Sequence, residues 1–174
     1  SEPSTFFRED RKRERESNGY FINNGFEWYK DDNTSLLGSF FYNNYGSDNL
    51  ESNTIRELDS NSNILNIIIQ NDFEDDIDNN REYNLNFEKK LDDKGQLITI
   101  DLQYENSKEW ENSLIDENGV ATESVDENIQ SESFFIRSDY VLPIGETRQF
   151  EAGFRVESED DITDYKVFDN VGNI

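Results

Sequence analysis

The sequence predicts an all-β fold, arranged as an antiparallel up-and-down meander of about seven or eight strands. The first observation behind this prediction is an alternation of apolar and polar side chains, because successive strand side chains point to opposite faces. The second is a regular alternation of short and long connections between the alternating segments. The third is an aromatic content of 13% in 174 residues, which argues against disorder although apolar residues make up only 33%.

The clearest hairpin spans residues 83–104. On its first strand Leu85 and Phe87 alternate with polar residues, and on its second strand every other residue from Ile98 to Tyr104 is apolar. Residues 92–95, Asp-Asp-Lys-Gly, have the composition of a tight turn whose glycine can adopt a positive φ. One face of this hairpin is therefore apolar and the other face is polar.

Four further segments repeat the pattern in chain order, at residues 20–30, 36–45, 129–143 and 149–157. Each mixes aromatic and branched residues with polar ones at a period of two, which is typical of a half-buried strand. Residues 1–17 carry arginines interleaved with glutamates. We interpret that segment as a solvated strand extension or loop.

The lengths of the predicted connections indicate the architecture of the meander. Short turns are predicted near residues 31–34, 92–95 and 143–147, and long polar loops near 46–80, 112–128 and 158–174. The first loop is expected to hold a hairpin with its tip at residues 59–63, and the second to turn at 116–119. Short turns at one end and long loops at the other are typical of transmembrane β-barrels.

A barrel wall would place the two faces in different media. The residues expected to face lipid are Leu85, Phe87, Ile98, Ile100, Leu102, Tyr104, Phe134, Ile136, Tyr140, Phe150 and Phe154. The polar residues expected to face the lumen are Asp101, Arg137, Asp139, Glu151 and Arg155, which carry too many charges for a dry core. A soluble antiparallel sheet with one wet face gives the same alternation, so both readings stay open at this point.

The composition excludes several kinds of chemistry. The chain has no Cys and no His, which removes thiolate chemistry and the commonest general base and metal ligand. A net charge of −24 makes nucleic acid and an anionic membrane surface poor partners by simple attraction. We expect no catalytic residue, no cofactor and no specific metal site. Asp75, Asp76 and Asp78 are weak calcium candidates, because the calcium-loop pattern fails where it requires Gly and Glu.

Several segments together resemble a known family. Three pieces resemble the outer-membrane β-barrel region of TonB-dependent receptor-like proteins of Bacteroidetes: YNLNFEKKLDDKGQLITIDLQYENSKEWEN, a DENG loop and SFFIRSDYVLPIGETRQFEAGFRVE. The resemblance covers about residues 18–160. It implies an open segment of a larger transmembrane β-barrel, of about 22 strands as in plugged outer-membrane transporters. On that reading residues 1–174 are a fragment of one barrel domain, and the plug domain lies outside it.

The resemblance also implies a function. The expected role is part of the wall of a nutrient receptor in the bacterial outer membrane, with lipid, the rest of the barrel, the plug and TonB as partners. The ligand class stays open between a siderophore, an oligosaccharide and a peptide. One alternative is a secreted soluble antiparallel β domain that binds carbohydrate or protein. A second alternative is a structural outer-membrane barrel that anchors a surface complex.

Overall fold

The computed structural model describes residues 5–169, which form one sheet of six antiparallel strands in chain order. The strands are β1 (Phe6–Asp31), β2 (Thr34–Leu58), β3 (Ile64–Lys90), β4 (Leu97–Glu117), β5 (Val120–Ile144) and β6 (Arg148–Asp169). Each pairs with its neighbours along the chain. The predicted all-β meander is confirmed, with six strands where about seven or eight were expected.

The strands are unusually long. They run from 21 residues in β4 to 27 in β3, whereas strands in globular proteins usually have about 3–10 residues. At about 3.3 Å per residue, β3 is about 90 Å long. Crossing a bilayer takes only about 9–11 residues of a tilted strand. About half or more of each strand therefore extends beyond the length that a bilayer requires.

The expectation of long polar loops is wrong, whereas the hairpin tip expected at residues 59–63 and the turn expected within residues 116–119 are confirmed. Residues 46–58 and 64–80 belong to β2 and β3, residues 112–117 and 120–128 belong to β4 and β5, and residues 158–169 belong to β6. The last five residues of the expected third loop, 170–174, lie outside the described residues. Backbone pairing continues through these segments because the tight turns hold the register, and polar side chains then bond across the strands.

Polar side chains supply these cross-strand bonds. Asn44 Nδ2 donates to Asn79 Oδ1 at 2.9 Å, and Asn49 Nδ2 donates to Glu74 Oε1 at 2.6 Å. Such pairs substitute for the apolar contacts that hold most sheets together. A segment that is polar on both faces can therefore remain a strand once its neighbours are aligned.

Two turns explain how so long a register is kept. At the tip between β2 and β3, the Asp59 side chain accepts hydrogen bonds from the backbone N–H groups of Asn61 and Asn63, both at 2.8 Å. Between β4 and β5, Asn118 and Gly119 have φ values of 54° and 79°. Two successive positive φ angles define the hairpin turn that suits the twist of paired strands.

The sheet is a single layer. No hydrophobic residue is buried in the part of the chain that the structure describes. All residues of the edge strands β1 and β6 are exposed, and the two edges do not pair with each other in the described sheet. Along residues 5–169 no helix is both long and apolar enough to cross a membrane. The apolar side chains therefore lack any covering from this part of the chain.

Candidate functional site

The cross-strand register divides the sheet into two faces. Residues that pair directly lie on the same face, so one row can be followed across all six strands. Phe26 pairs with Gly38, which pairs with Leu85, and the row continues through Leu102, Ile136 and Val156. We call the side of the sheet that carries this row the band face and the other side the opposite face.

All of the residues predicted to face lipid lie on the band face. In the neighbouring row of the band face, Phe87 pairs with Ile100, Ile100 pairs with Ser138, and Ser138 pairs with Phe154. We define the apolar band by the following outward residues of the band face: Ile22, Phe26, Trp28, Leu36, Phe40, Tyr83, Leu85, Phe87, Ile98, Ile100, Leu102, Tyr104, Phe134, Ile136, Tyr140, Leu142, Phe150, Ala152, Phe154 and Val156. The register thus brings the predicted residues together, while their contact with lipid stays a prediction.

The band is exposed and extends for about 20 Å along the strands. Phe26 and Phe154 are each 55% exposed. On β4 the band runs from Ile98 to Tyr104, about 20 Å at 3.3 Å per residue. On β1 it reaches from Trp28 to Ile22 in a similar length. Apolar bands of transmembrane barrels are about 25 Å tall.

Aromatic rings border the band on the side of the long extensions. Phe40, Tyr83, Tyr104 and Phe134 lie in one row of the register. The Phe40 and Tyr83 ring centroids are 5.0 Å apart, and those of Tyr83 and Tyr104 are 6.1 Å apart. Aromatic girdles mark the interfaces of membrane barrels, where an amphipathic ring meets both lipid and water.

The five predicted lumen-facing residues lie together on the opposite face. Asp101 pairs with Arg137, and Arg137 pairs with Arg155. Arg137 Nε donates to Asp139 Oδ2 at 2.6 Å and lies 3.8 Å from Asp101 Oδ2. Arg155 lies over the Phe135 ring at 4.8 Å from its centroid. Glu151 lies on the same face one row from Asp139. Oppositely charged groups thus balance one another behind the apolar band.

Beyond the band, the opposite face carries rows of acidic residues that the sequence analysis missed. Asp76 pairs with Glu111, Glu111 pairs with Glu127, and Asp78 pairs with Glu109. Burial, followed by repulsion from neighbouring carboxylates, raises the pKa of Glu111 and of Glu109 above the ordinary value. Burial and the adjacent Asp76 raise the pKa of Asp78 in the same way. Like charges directly opposite one another destabilise a sheet, so these acidic rows lower the stability of the strand extensions.

The weak calcium candidates are not brought together. Asp75 lies on the band face, whereas Asp76 and Asp78 lie on the opposite face, because successive strand residues alternate. Asp76 Oδ2 accepts a hydrogen bond from Ser47 Oγ at 3.0 Å. Among residues 5–169, no group of three or more acidic side chains is placed to hold a metal ion. The calcium interpretation is therefore wrong for this trio.

The comparisons with known proteins identify the kind of sheet. Residues 89–174 match the model of the outer membrane protein beta-barrel family. Over these residues, just under half of the chain, the sequence is similar to that family. A search of curated proteins finds no match. The open meander is consistent with a segment of such a barrel, and we refer to the six strands below as the barrel segment.

Proposed function

We propose that the barrel segment is part of the wall of a TonB-dependent receptor in the bacterial outer membrane, and that it takes part in nutrient uptake. The observation that carries this proposal is the exposed apolar band on a single-layer sheet whose other face is charged. A soluble sheet needs a second layer over such a band. No described residue supplies one, since none of the hydrophobic side chains is buried.

The open edges support a place within a larger barrel. Unpaired backbone groups in lipid are prohibitively costly, so a membrane sheet must close on itself. We propose that further strands pair with β1 and with β6 to complete the wall. A plug domain and TonB would then act as partners, as the resemblance to receptor-like proteins implies.

The opposite face would line the lumen. Asp101 and Asp139 both lie within ion-pair distance of Arg137, which suits a polar wall that contacts water or a plug. We propose no catalytic role for these residues. The transported ligand is proposed at the level of a nutrient class that includes siderophores, oligosaccharides and peptides.

An uptake experiment separates this proposal from a purely structural barrel. The gene for the complete protein is deleted in one strain and TonB in another, and both are supplied with labelled siderophores, oligosaccharides and peptides. We expect both deletions to abolish uptake of the same nutrient. Loss of a surface complex with all uptake intact would favour the anchoring alternative. Recovery of the complete protein in the soluble fraction would refute the barrel proposal itself.

A further inference from the structure

A second apolar surface lies on the band face, far beyond the aromatic border of the band. Leu50, Phe73 and Leu114 pair in one row across β2, β3 and β4, and we call these three residues the distal patch. Phe73 is 44% exposed, and the two leucines are half-buried. The distal patch is therefore accessible in the described part of the chain.

Lipid does not reach the distal patch when the apolar band spans the bilayer. Phe73 lies twelve residues from Leu85 along β3, which is about 40 Å at 3.3 Å per residue. A strand tilt of about 45° reduces this to a height of about 28 Å, whereas a bilayer with its headgroups reaches about 20–22 Å from its midplane. The distal patch therefore faces water, and a lipid does not cover it.

A row of carboxylates borders the distal patch on its membrane side. Glu16 pairs with Asp48, and Asp48 pairs with Asp75. We call these three exposed residues the carboxylate row. Within residues 5–169 none of them forms an ion pair. Like charges directly opposite one another repel, so a positive charge over this row relieves the repulsion.

The cations of the surrounding strands do not neutralise the carboxylate row. Arg15 belongs to the opposite face, where its guanidinium donates to a serine hydroxyl at 3.1 Å. Lys12 and Lys166 each form an ion pair with a carboxylate of their own strand. Lys108 lies four residues along β4 from the partner of Asp75, which is about 13 Å. The free charge beside the distal patch is therefore negative.

The distal patch and the carboxylate row share one depression. A cavity of about 590 Å³ is lined by all six of their side chains. A molecule bound there contacts apolar and anionic groups together. The site therefore suits a ligand that combines apolar and cationic groups.

We propose that the distal patch and the carboxylate row dock a partner protein that presents a basic amphipathic segment. Apolar side chains of the segment cover the distal patch, and its lysine or arginine side chains lie over the carboxylate row. A second copy of this chain does not fit, because it would bring carboxylates against carboxylates at a net charge of −24. An inorganic cation would leave the apolar row uncovered. This inference rests on the proposed function, which holds the distal patch outside the membrane.

Peptide binding to the complete protein tests the proposal. The protein is immobilised in neutral detergent and titrated with an amphipathic peptide of leucine and lysine, and detergent without protein supplies the background. A counterpart with glutamate in place of lysine reverses the charge, and oligolysine lacks the apolar side chains. We expect the leucine–lysine peptide to bind about tenfold more tightly than either.

Charge-removal variants locate the site. Each exposed ion pair contributes about a threefold factor, so Asp48→Asn/Asp75→Asn should weaken binding of the leucine–lysine peptide about tenfold. The matched control is Asp93→Asn/Glu146→Gln, which removes the same charge from turns at the other end of the strands. The control should change binding less than about twofold. Salt at about 1 M should remove the difference between the two variants.

An apolar variant tests the other half of the site. Phe73→Ser should weaken binding about tenfold, and the loss should persist in high salt. Phe7→Ser is its control, because Phe7 is 70% exposed on the opposite face. Equal binding by either variant and its control would overturn the proposal. Oligolysine that binds as tightly as the leucine–lysine peptide would also overturn it, since the carboxylates alone would then account for binding.

Membrane insertion is measured beside binding, by flotation of each protein with lipid vesicles, and affinities are compared among the proteins that float. If the unaltered protein floats but binds the leucine–lysine peptide no better than its glutamate counterpart, the docking inference fails alone. If the unaltered protein does not insert, the barrel-wall proposal fails as well. The two failures are therefore distinguishable.

Discussion

Placing a charge at the centre of the apolar band should destabilise the protein in a way that depends on the face. Leu102 lies in the row that is apolar or glycine on all six strands. It is about 7 Å along β4 from Tyr104 and about 13 Å from Ile98, at 3.3 Å per residue. Leu102→Arg therefore places a guanidinium near the middle of the bilayer.

The expected cost follows from this depth. A cationic side chain on the lipid face of a barrel costs about 2–4 kcal/mol at the midplane and about 0–1 near the interfaces. Leu102→Arg should thus lower the free energy of unfolding by about 2–4 kcal/mol. Gln103→Arg is the matched control, because residue 103 is the next residue along β4 and lies on the opposite face.

Denaturant titration of the complete protein in lipid vesicles measures both free energies. Tryptophan fluorescence follows unfolding, because Trp28 belongs to the band. We expect Gln103→Arg to stay within about 0.5 kcal/mol of the unaltered protein, as surface substitutions usually do. Equal destabilisation by the two arginines would refute the assignment of faces.

The remaining predictions concern the acidic rows and two glycines. Glu111→Gln should stabilise the protein by roughly 0.2–1 kcal/mol at pH 7, because it removes like-charge contacts across strands. The pKa of Glu111 is raised in the folded state. The gain should therefore begin to fall as pH drops through that raised pKa and vanish below the pKa of the unfolded chain, in unfolding titrations from pH 7 downward. Gly153→Ala should cost about 1–3 kcal/mol in the same titration, because its Cβ would lie 2.8 Å from the Ser138 carbonyl oxygen. Gly119→Ala should cost about 1–2 kcal/mol, because φ is 79° in an open turn.

Each of these predictions has a result that would contradict it. A gain from Glu111→Gln that persists unchanged in acid would show that repulsion is not its source. An alanine at Gly153 without effect would mean that the strands separate easily at that point. Destabilisation by Gly119→Ala that Gly119→Asn does not reduce would exclude the positive φ as the cause, since Asn tolerates that conformation better.

The sequence predicts the two faces well because alternation carries that information directly. Leu85 and Phe87 are two residues apart on β3, and Ile98, Ile100 and Leu102 are two residues apart on β4, so alternation places each set on one face of its strand. The tight turns were also visible, since residues 92–95 and 118–119 have the composition of hairpin turns. The fold class follows from these two signals.

The extent of the strands was not predicted, because the extensions are mostly polar and, apart from the short apolar patch at residues 64–69, show no clear apolar period. Their pairing depends on the register that the turns impose and on side-chain bonds such as that of Asn49 with Glu74. The acidic rows were missed for the same reason. The turn at 92–95 aligns Asp76 with Glu111 only if the hairpin continues beyond Arg81. The sequence analysis interpreted residues 46–80, which include Asp76, as a loop.

The central claim is that the band face contacts lipid and the opposite face contacts water. The chain has no Cys, so Ile100→Cys and Asp101→Cys can each carry one environment-sensitive dye in the complete protein in outer membranes. Lipid-borne and aqueous quenchers then report the surroundings of each dye. We predict that lipid-borne quenchers reach position 100 and only aqueous quenchers reach position 101. If neither position is quenched from lipid, the account of a membrane barrel wall is contradicted.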